Sequence, residues 1–171
     1  MCAPEADKAA DSGDIVRTEL GPLSSRASIL KADPLASLYL VKGLYKLAKG
    51  WQERGHLRSA KCIYRFILKV QDRCPEIACL EVPLSFNNLA LILMLENAVM
   101  EAEDMFVRAL ASCYTILGDE HEIFSALLID YAQLMRRMGL EEQALALERR
   151  AAASQEMSRH KNQTALPPLP A

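Results

Sequence analysis

Gly139-Leu140-Glu141-Glu142-Gln143-Ala144 recurs twice, in diverged form, earlier in the chain. Forty-two residues upstream the chain reads Asn97-Ala98-Val99-Met100-Glu101-Ala102, and another 42 upstream it reads Gly55-His56-Leu57-Arg58-Ser59-Ala60. Each copy places a residue that tolerates a turn, Gly or Asn, five positions before an alanine. A fixed self-similarity of this length is the sequence signature of stacked helical hairpins.

The composition is typical of a single all-helical domain without a charged partner. The chain has 171 residues, which favours one domain. Its 20 Lys and Arg and 22 Asp and Glu give a formal net charge of −2, so no overall attraction to nucleic acid or an anionic membrane is expected. Apolar residues make up 51% of the chain. Ala and Leu supply much of this share and no alternating strand pattern is sustained, which favours helices.

The cysteines and the ends of the chain predict a soluble cytoplasmic protein. Five cysteines form an odd set whose spacing fits no metal motif, so free thiols in a reducing compartment are expected. The first 15 residues are polar, unlike a secretory signal. The longest apolar run, Leu89 to Leu95, is too short to span a bilayer.

Helical spacing and turn residues predict six helices between residues 33 and 160. Asp33-Pro34 is a helix start, and helices are expected over about 35–54, 57–73, 83–96, 99–117, 120–138 and 141–158. Asn97 is expected to adopt the turn conformation of Gly55. Asp119, with Glu122 three residues later, predicts a capping box. Residues 1–32 and the Pro-rich tail 161–171 are expected to be disordered.

Three units, at about 36–74, 83–117 and 120–158, resemble tetratricopeptide repeats of the longer, 42-residue variety found in kinesin light chains. The resemblance implies a right-handed α-solenoid of three helical hairpins. Its strongest signal is a set of small residues where helices touch: Ala48, Ala90, Ala132, Ala60, Ala102 and Ala144. One departure is Glu148, which stands where Tyr64 and Phe106 are aromatic. A polar residue there predicts that the stack ends at the last helix.

In this architecture the first helix of each hairpin lines a concave face, and its side chains that are not used for packing face the groove. These are Lys42, Tyr45, Lys46, Lys49 and Gln52, then Asn87, Asn88, Leu91 and Met94, then Ile129, Asp130, Gln133, Arg136 and Arg137. Asn amides can bind a peptide backbone, and flanking cations favour acidic partners. We therefore expect a non-enzymatic scaffold or adaptor that binds an extended or helical, somewhat acidic peptide. The expected contacts are Lys46, Lys49, Asn87, Asn88, Leu91, Gln133 and Arg136.

Two other functions are weighed against this interpretation. The apolar third helix and the Ala-rich sixth helix would also suit an assembly element that self-associates or docks in a larger complex. The clamp with which some repeats of this family hold a chaperone's C-terminal carboxylate is disfavoured, because Tyr45, Lys49, Ala126 and Asp130 replace its residues and only Asn88 agrees.

Catalysis is not expected from this sequence, nor is a cofactor or a metal. His56, His121 and His160 lie far apart in sequence, and no nucleophile, phosphate-loop or metal-binding motif occurs. His121 is interpreted as a residue of the loop that caps a helix. Cys74 and Cys79 have no evident partners for a metal site.

Overall fold

The computed structural model describes residues 34–164, which form six helices and contain no strand. The helices are α1 Pro34–Glu53, α2 Leu57–Arg73, α3 Glu81–Leu95, α4 Val99–Leu117, α5 Glu122–Arg137 and α6 Glu141–Thr164. The all-α prediction is confirmed. The disorder predicted for residues 1–32 and for most of the C-terminal tail falls outside the described residues.

The helices pack as a stack of three hairpins. Each hairpin pairs two consecutive helices, and the second helix of one hairpin contacts the first helix of the next. The first helices also contact one another directly, α1 with α3 and α3 with α5. This arrangement confirms the predicted solenoid. It also places α1, α3 and α5 along one side of the stack, called the inner side below.

The turn inside each hairpin has the same hydrogen-bonded geometry. Gly55, Asn97 and Gly139 have positive φ angles of 82°, 60° and 75°. In each turn the residue after this position donates its backbone N–H five residues back, as His56 does to Trp51 O at 2.9 Å. This is the Schellman ending of a helix. The prediction that Asn97 replaces glycine in this role is confirmed.

The six alanines that recur at 42-residue spacing are fully buried. Ala48, Ala90 and Ala132 lie on the first helices and Ala60, Ala102 and Ala144 on the second helices, and each has 0% of its surface exposed. A methyl group at these positions lets two helix backbones approach closely. The rest of the core consists of larger side chains that fill the space between hairpins, among them Tyr64, Phe106 and Phe124.

Two details differ from the sequence prediction. His121, rather than Asp119, caps α5, because its Nδ1 atom accepts a hydrogen bond from Ile123 N–H at 3.2 Å. Asp119 uses its backbone carbonyl instead, which accepts from the Ser154 hydroxyl of α6. Helix α6 continues to Thr164, past the expected boundary at residue 160. No Gly or Pro stands between Ser158 and Thr164, and Lys161 pairs with Glu120 at 2.9 Å.

Candidate functional site

The inner side is formed by four rows of equivalent residues, one residue of each row from each first helix. The rows follow the 42-residue repeat. From α1, α3 and α5 in turn they are Lys42, Leu84 and Ala126; Lys46, Asn88 and Asp130; Lys49, Leu91 and Gln133; Glu53, Leu95 and Arg137. The three helices therefore present different chemistry at the same positions, namely cationic on α1, largely apolar on α3 and mixed polar on α5.

A repeated hydrogen bond joins successive first helices. The Asn88 side-chain amide donates to the Tyr45 hydroxyl at 3.3 Å, and the Asn87 amide donates to Asp130 Oδ2 at 2.7 Å. Both bonds span 43 positions, which is one repeat plus one residue. Burial raises the pKa of Tyr45 above its usual value. These bonds hold the first helices at a fixed separation on the inner side.

Asn87 lies between α3 and α5 rather than on the open surface. Its side chain is buried, with 6% exposed, and its amide oxygen has no hydrogen-bond partner among the described residues. Met94, which was expected to face the groove, is also buried. The role of Asn87 as a partner contact stays a prediction, since its amide nitrogen already serves the helix pair.

Tyr45 and Gln52 likewise have contacts inside the first hairpin. The Tyr64 hydroxyl of α2 donates to Gln52 Oε1 at 2.9 Å. The Tyr45 and Tyr64 rings lie 6.2 Å apart. Burial raises the pKa of Tyr64 strongly, so both tyrosines remain neutral hydrogen-bonding groups at physiological pH. This small network positions α1 against α2 and α3.

The apolar floor of the inner side is longer than the sequence analysis predicted. Leu84, Asn88, Leu91 and Leu95 follow one another along α3 at helical spacing, and Leu95 is 68% exposed. Leu84 and Leu95 were missed because α3 is apolar nearly all round, so periodicity could not distinguish exposed from buried leucines. The 42-residue register with Lys42 and Glu53 was the signal that could have found them.

Three lysines border this floor on α1. Lys42, Lys46 and Lys49 are exposed, and none of them forms an ion pair with an acidic side chain within residues 34–164. Lys42 and Lys49 are three and four residues from Tyr45 and so share its helix face. They form an unneutralised cationic edge at one end of the inner side.

Arg136, by contrast, is bound within the chain. Its guanidinium pairs with Glu148 in a bidentate contact, with Nη2 to Oε2 at 2.8 Å, and with Glu141 at 3.2 Å. These side-chain hydrogen bonds, that to Glu148 first, raise the pKa of Arg136. Gln133 and Arg137 of the same helix are exposed. The third hairpin therefore offers Gln133 and Arg137 more freely than the predicted Arg136.

The outer side carries a cavity of about 430 Å³ between α2 and α4. Leu68, Leu89, Leu93 and Met105 are among the residues that line it. Its rim charges are paired across the cavity, Arg65 with Glu101 at 3.4 Å and Arg108 with Asp72 at 3.5 Å. The cations and anions of this rim satisfy each other, unlike the three lysines of the inner side.

The chemistry-bearing side chains have structural positions. His121 caps α5, and His56 lies edge-on to Trp51 with ring centroids 6.4 Å apart. Cys74, Cys79 and Cys113 are buried free thiols, and Cys62 is exposed. Over the part of the chain that the structure describes, no three His, Cys, Asp or Glu side chains are grouped to hold a metal ion. None of the six helices has the length and apolar character needed to cross a lipid bilayer.

Comparison with solved structures supports the fold. The kinesin light chain TPR-like repeats from Podosopora anserina match with a TM-score of 0.58 and 19% sequence identity, over 70% of this chain and 56% of that one. The chain thus spans little more than half of that structure. BtubC from P. vanneervenii matches with a TM-score of 0.46 and 16% identity, over 91% of this chain and 80% of that one.

The chain has the fold of TPR-like repeats. The fold predicted from the 42-residue period is thereby confirmed. No family model matches the sequence, and the search of curated proteins finds no match. The similarity is therefore one of architecture.

Proposed function

We propose that this chain is a non-enzymatic adaptor that binds a segment of another protein across the inner side of its three first helices. The bound segment carries acidic residues next to at least one large apolar residue. The observation that carries the proposal is the juxtaposition of three unpaired lysines on α1 with the exposed leucines of α3.

Charge and apolar surface support one orientation of the partner. Acidic side chains of the segment would lie over Lys42, Lys46 and Lys49, because unpaired cations attract carboxylates and raise the association rate. The next residues would pack on Leu84, Leu91 and Leu95, whose burial stabilises binding through the hydrophobic effect. Asn88 and Gln133 would offer amide groups to the segment's backbone, and Arg137 would border its far end.

The outer cavity is a less suitable site for such a segment. Its arginines already contact Glu101 and Asp72, so an acidic peptide would have to displace existing pairs. The inner lysines have no such competitor among the described residues. Protein binding without catalysis also agrees with the histidine positions, since His121 is used as a helix cap.

The test is quantitative affinity capture from the source cell with two matched charge-reversal variants. Lys46→Glu with Lys49→Glu alters the inner side, and Arg58→Glu with Lys69→Glu makes the same charge change on the exposed surface of α2. Captured proteins should fall at least about tenfold for the first variant only. Circular dichroism should show unchanged helix content in both.

The same set of captured proteins with both variants would overturn the proposal, since binding would then not depend on the inner lysines. Equal losses with both variants would also overturn it, because the interaction would depend on net charge rather than on this surface. A fragment mapped from a captured protein should contain acidic residues beside an apolar one, and Leu91→Asp should weaken its binding further.

A further inference from the structure

Helix α1 exposes an apolar face, called here the α1 outer face, that consists of Leu40, Gly43, Leu47 and Gly50. These residues recur at spacings of three and four and so lie along one side of the helix. Leu40 is 36% exposed and Leu47 39% exposed. Tyr39, beside this row, is 73% exposed. A continuous exposed apolar surface of this kind marks a contact with another element or molecule.

The repeat shows what kind of contact this face makes. The equivalent residues, 42 and 84 positions on, are Val82, Ser85, Leu89 and Ile92 in α3 and Phe124, Leu127, Tyr131 and Leu134 in α5. All are buried except Tyr131, which is half-buried. The second helix of the preceding hairpin packs against each of these two helices, α2 against α3 and α4 against α5. The α1 outer face is therefore an inter-hairpin surface, and residues 34–164 hold no hairpin before it.

The two glycines of this face are unusual for a helix interior. A methyl group added at Gly43 or Gly50 would meet no atom of the described structure within 4 Å. Glycine lowers helix stability relative to alanine, and no contact among residues 34–164 offsets that loss. Glycine does leave room for a bulky side chain from a covering element to reach the helix backbone.

We propose that residues 15–31 of the same chain cover the α1 outer face, in the place that a preceding second helix would occupy. The repeat length supports this choice, because the segment one 42-residue repeat upstream of α2, Leu57–Arg73, is Ile15–Lys31. Only two residues separate this segment from Pro34. A tether of that length gives an effective concentration on the order of millimolar.

The segment has the apolar residues that such a contact needs. Leu23, Ala27 and Leu30 recur at spacings of four and three, which places them on one side of a helical turn. Gly21-Pro22 interrupts the segment, so it would cover α1 as two short pieces rather than as one helix. Leucine side chains from these pieces would fill the space above Gly43 and Gly50.

Charge favours this segment over a second copy of the chain. Lys42, Lys46 and Lys49 flank the α1 outer face, and two copies packed face to face would bring six lysines together within the screening length of about 8 Å. The chain before α1 instead carries Asp11, Asp14 and Glu19 close to the proposed contact. These carboxylates would lie beside the lysine edge and attract it.

Hydrogen–deuterium exchange of the full chain tests this inference. Leu23→Asp with Leu30→Asp removes two apolar contacts of the segment, and Ser24→Asp with Ser28→Asp makes the same charge change at adjacent polar positions. We expect amide exchange in α1 to become at least about tenfold faster in the first variant and to change less than about twofold in the control. Exchange in α5, which the segment does not touch, should be unchanged in both and serves as the measure of intact folding.

A second variant approaches the contact from the helix. Leu47→Asp on α1 should raise exchange in α1 and also release any protection of residues 23–30, and light scattering should report a monomer throughout. Equal exchange in α1 for wild type and Leu23→Asp/Leu30→Asp would overturn the proposal, because the face would then be open. A dimer whose dissociation on dilution exposes α1 would also overturn it, in favour of a second copy as the occupant.

Discussion

The first and last hairpins present different chemistry at the two ends of the stack. In the last hairpin, Glu148 stands at the position where Tyr64 and Phe106 are buried, and it pairs with Arg136. In the first hairpin, Leu40, Gly43, Leu47 and Gly50 keep the small and apolar character of the buried inter-hairpin positions, although α1 has no preceding hairpin among the described residues.

This difference indicates how each end is completed. A repeat array needs a polar surface at its end to remain soluble, and the Glu148–Arg136 pair helps to supply one at α6. The α1 outer face lacks such a substitution and so requires a cover. The two ends also frame the inner side differently, since the unpaired lysines lie at the first hairpin and the paired arginine lies at the last.

Substitution at the aromatic position should break the comparison most severely. Phe106 is fully buried and stacks on Tyr131 of the next hairpin with ring centroids 5.6 Å apart. Phe106→Ala should lower the free energy of unfolding by about 3–5 kcal/mol, through lost burial and the cavity left behind. Glu148→Ala at the equivalent position should have only a small, salt-dependent effect, because the pair is partly exposed. Urea denaturation measures both, and equal losses would show that the two positions are not equivalent.

Alkaline pH should destabilise the interior while leaving the exposed thiol without effect. Burial raises the pKa of Cys113 to about 11, and burial, followed by the charge of Glu81, raises that of Cys79 to about 11. Their unfolded pKa is lower, so stability is fully present below about pH 8.5 and is lost as pH rises towards 11, on the order of 2 kcal/mol for each thiol. Unfolding measured from pH 8 to 10 should show a smaller slope in Cys113→Ala. Cys62→Ala is the exposed control, and a change in slope there would contradict this cause.

Two glycine substitutions should have the smallest effects, and in opposite directions. Gly50→Ala should raise the free energy of unfolding by about 0.5–1 kcal/mol, because alanine favours a helix interior. Its equivalents Ile92 and Leu134 are larger, so a methyl group fits this surface. Gly139→Ala should lower stability by about 1 kcal/mol, since the φ of 75° at this turn is strained for alanine. Thermal denaturation distinguishes the two, and a stabilising Gly139→Ala would contradict the turn geometry.

The inner side could be predicted only in part. The first helices and the exposed positions of Lys46, Lys49 and Gln133 followed from the repeat register. The engagement of Asn87 with Asp130 could not be predicted, because it joins residues 43 positions apart and its geometry depends on how two helices pack. The same reason applies to Arg136, whose partner Glu148 lies on the next helix.

Local chemistry determined most of the architecture. The period of 42 residues, the positive-φ turns at Gly55, Asn97 and Gly139, and the buried alanines can be derived from the sequence alone, because each depends on backbone conformation or side-chain size within one hairpin. Tertiary structure decided which polar groups remain unpaired. Lys42 and Lys49 meet no carboxylate of residues 34–164 while Arg136 meets two, since ion pairs form between helices whose relative placement no single hairpin specifies.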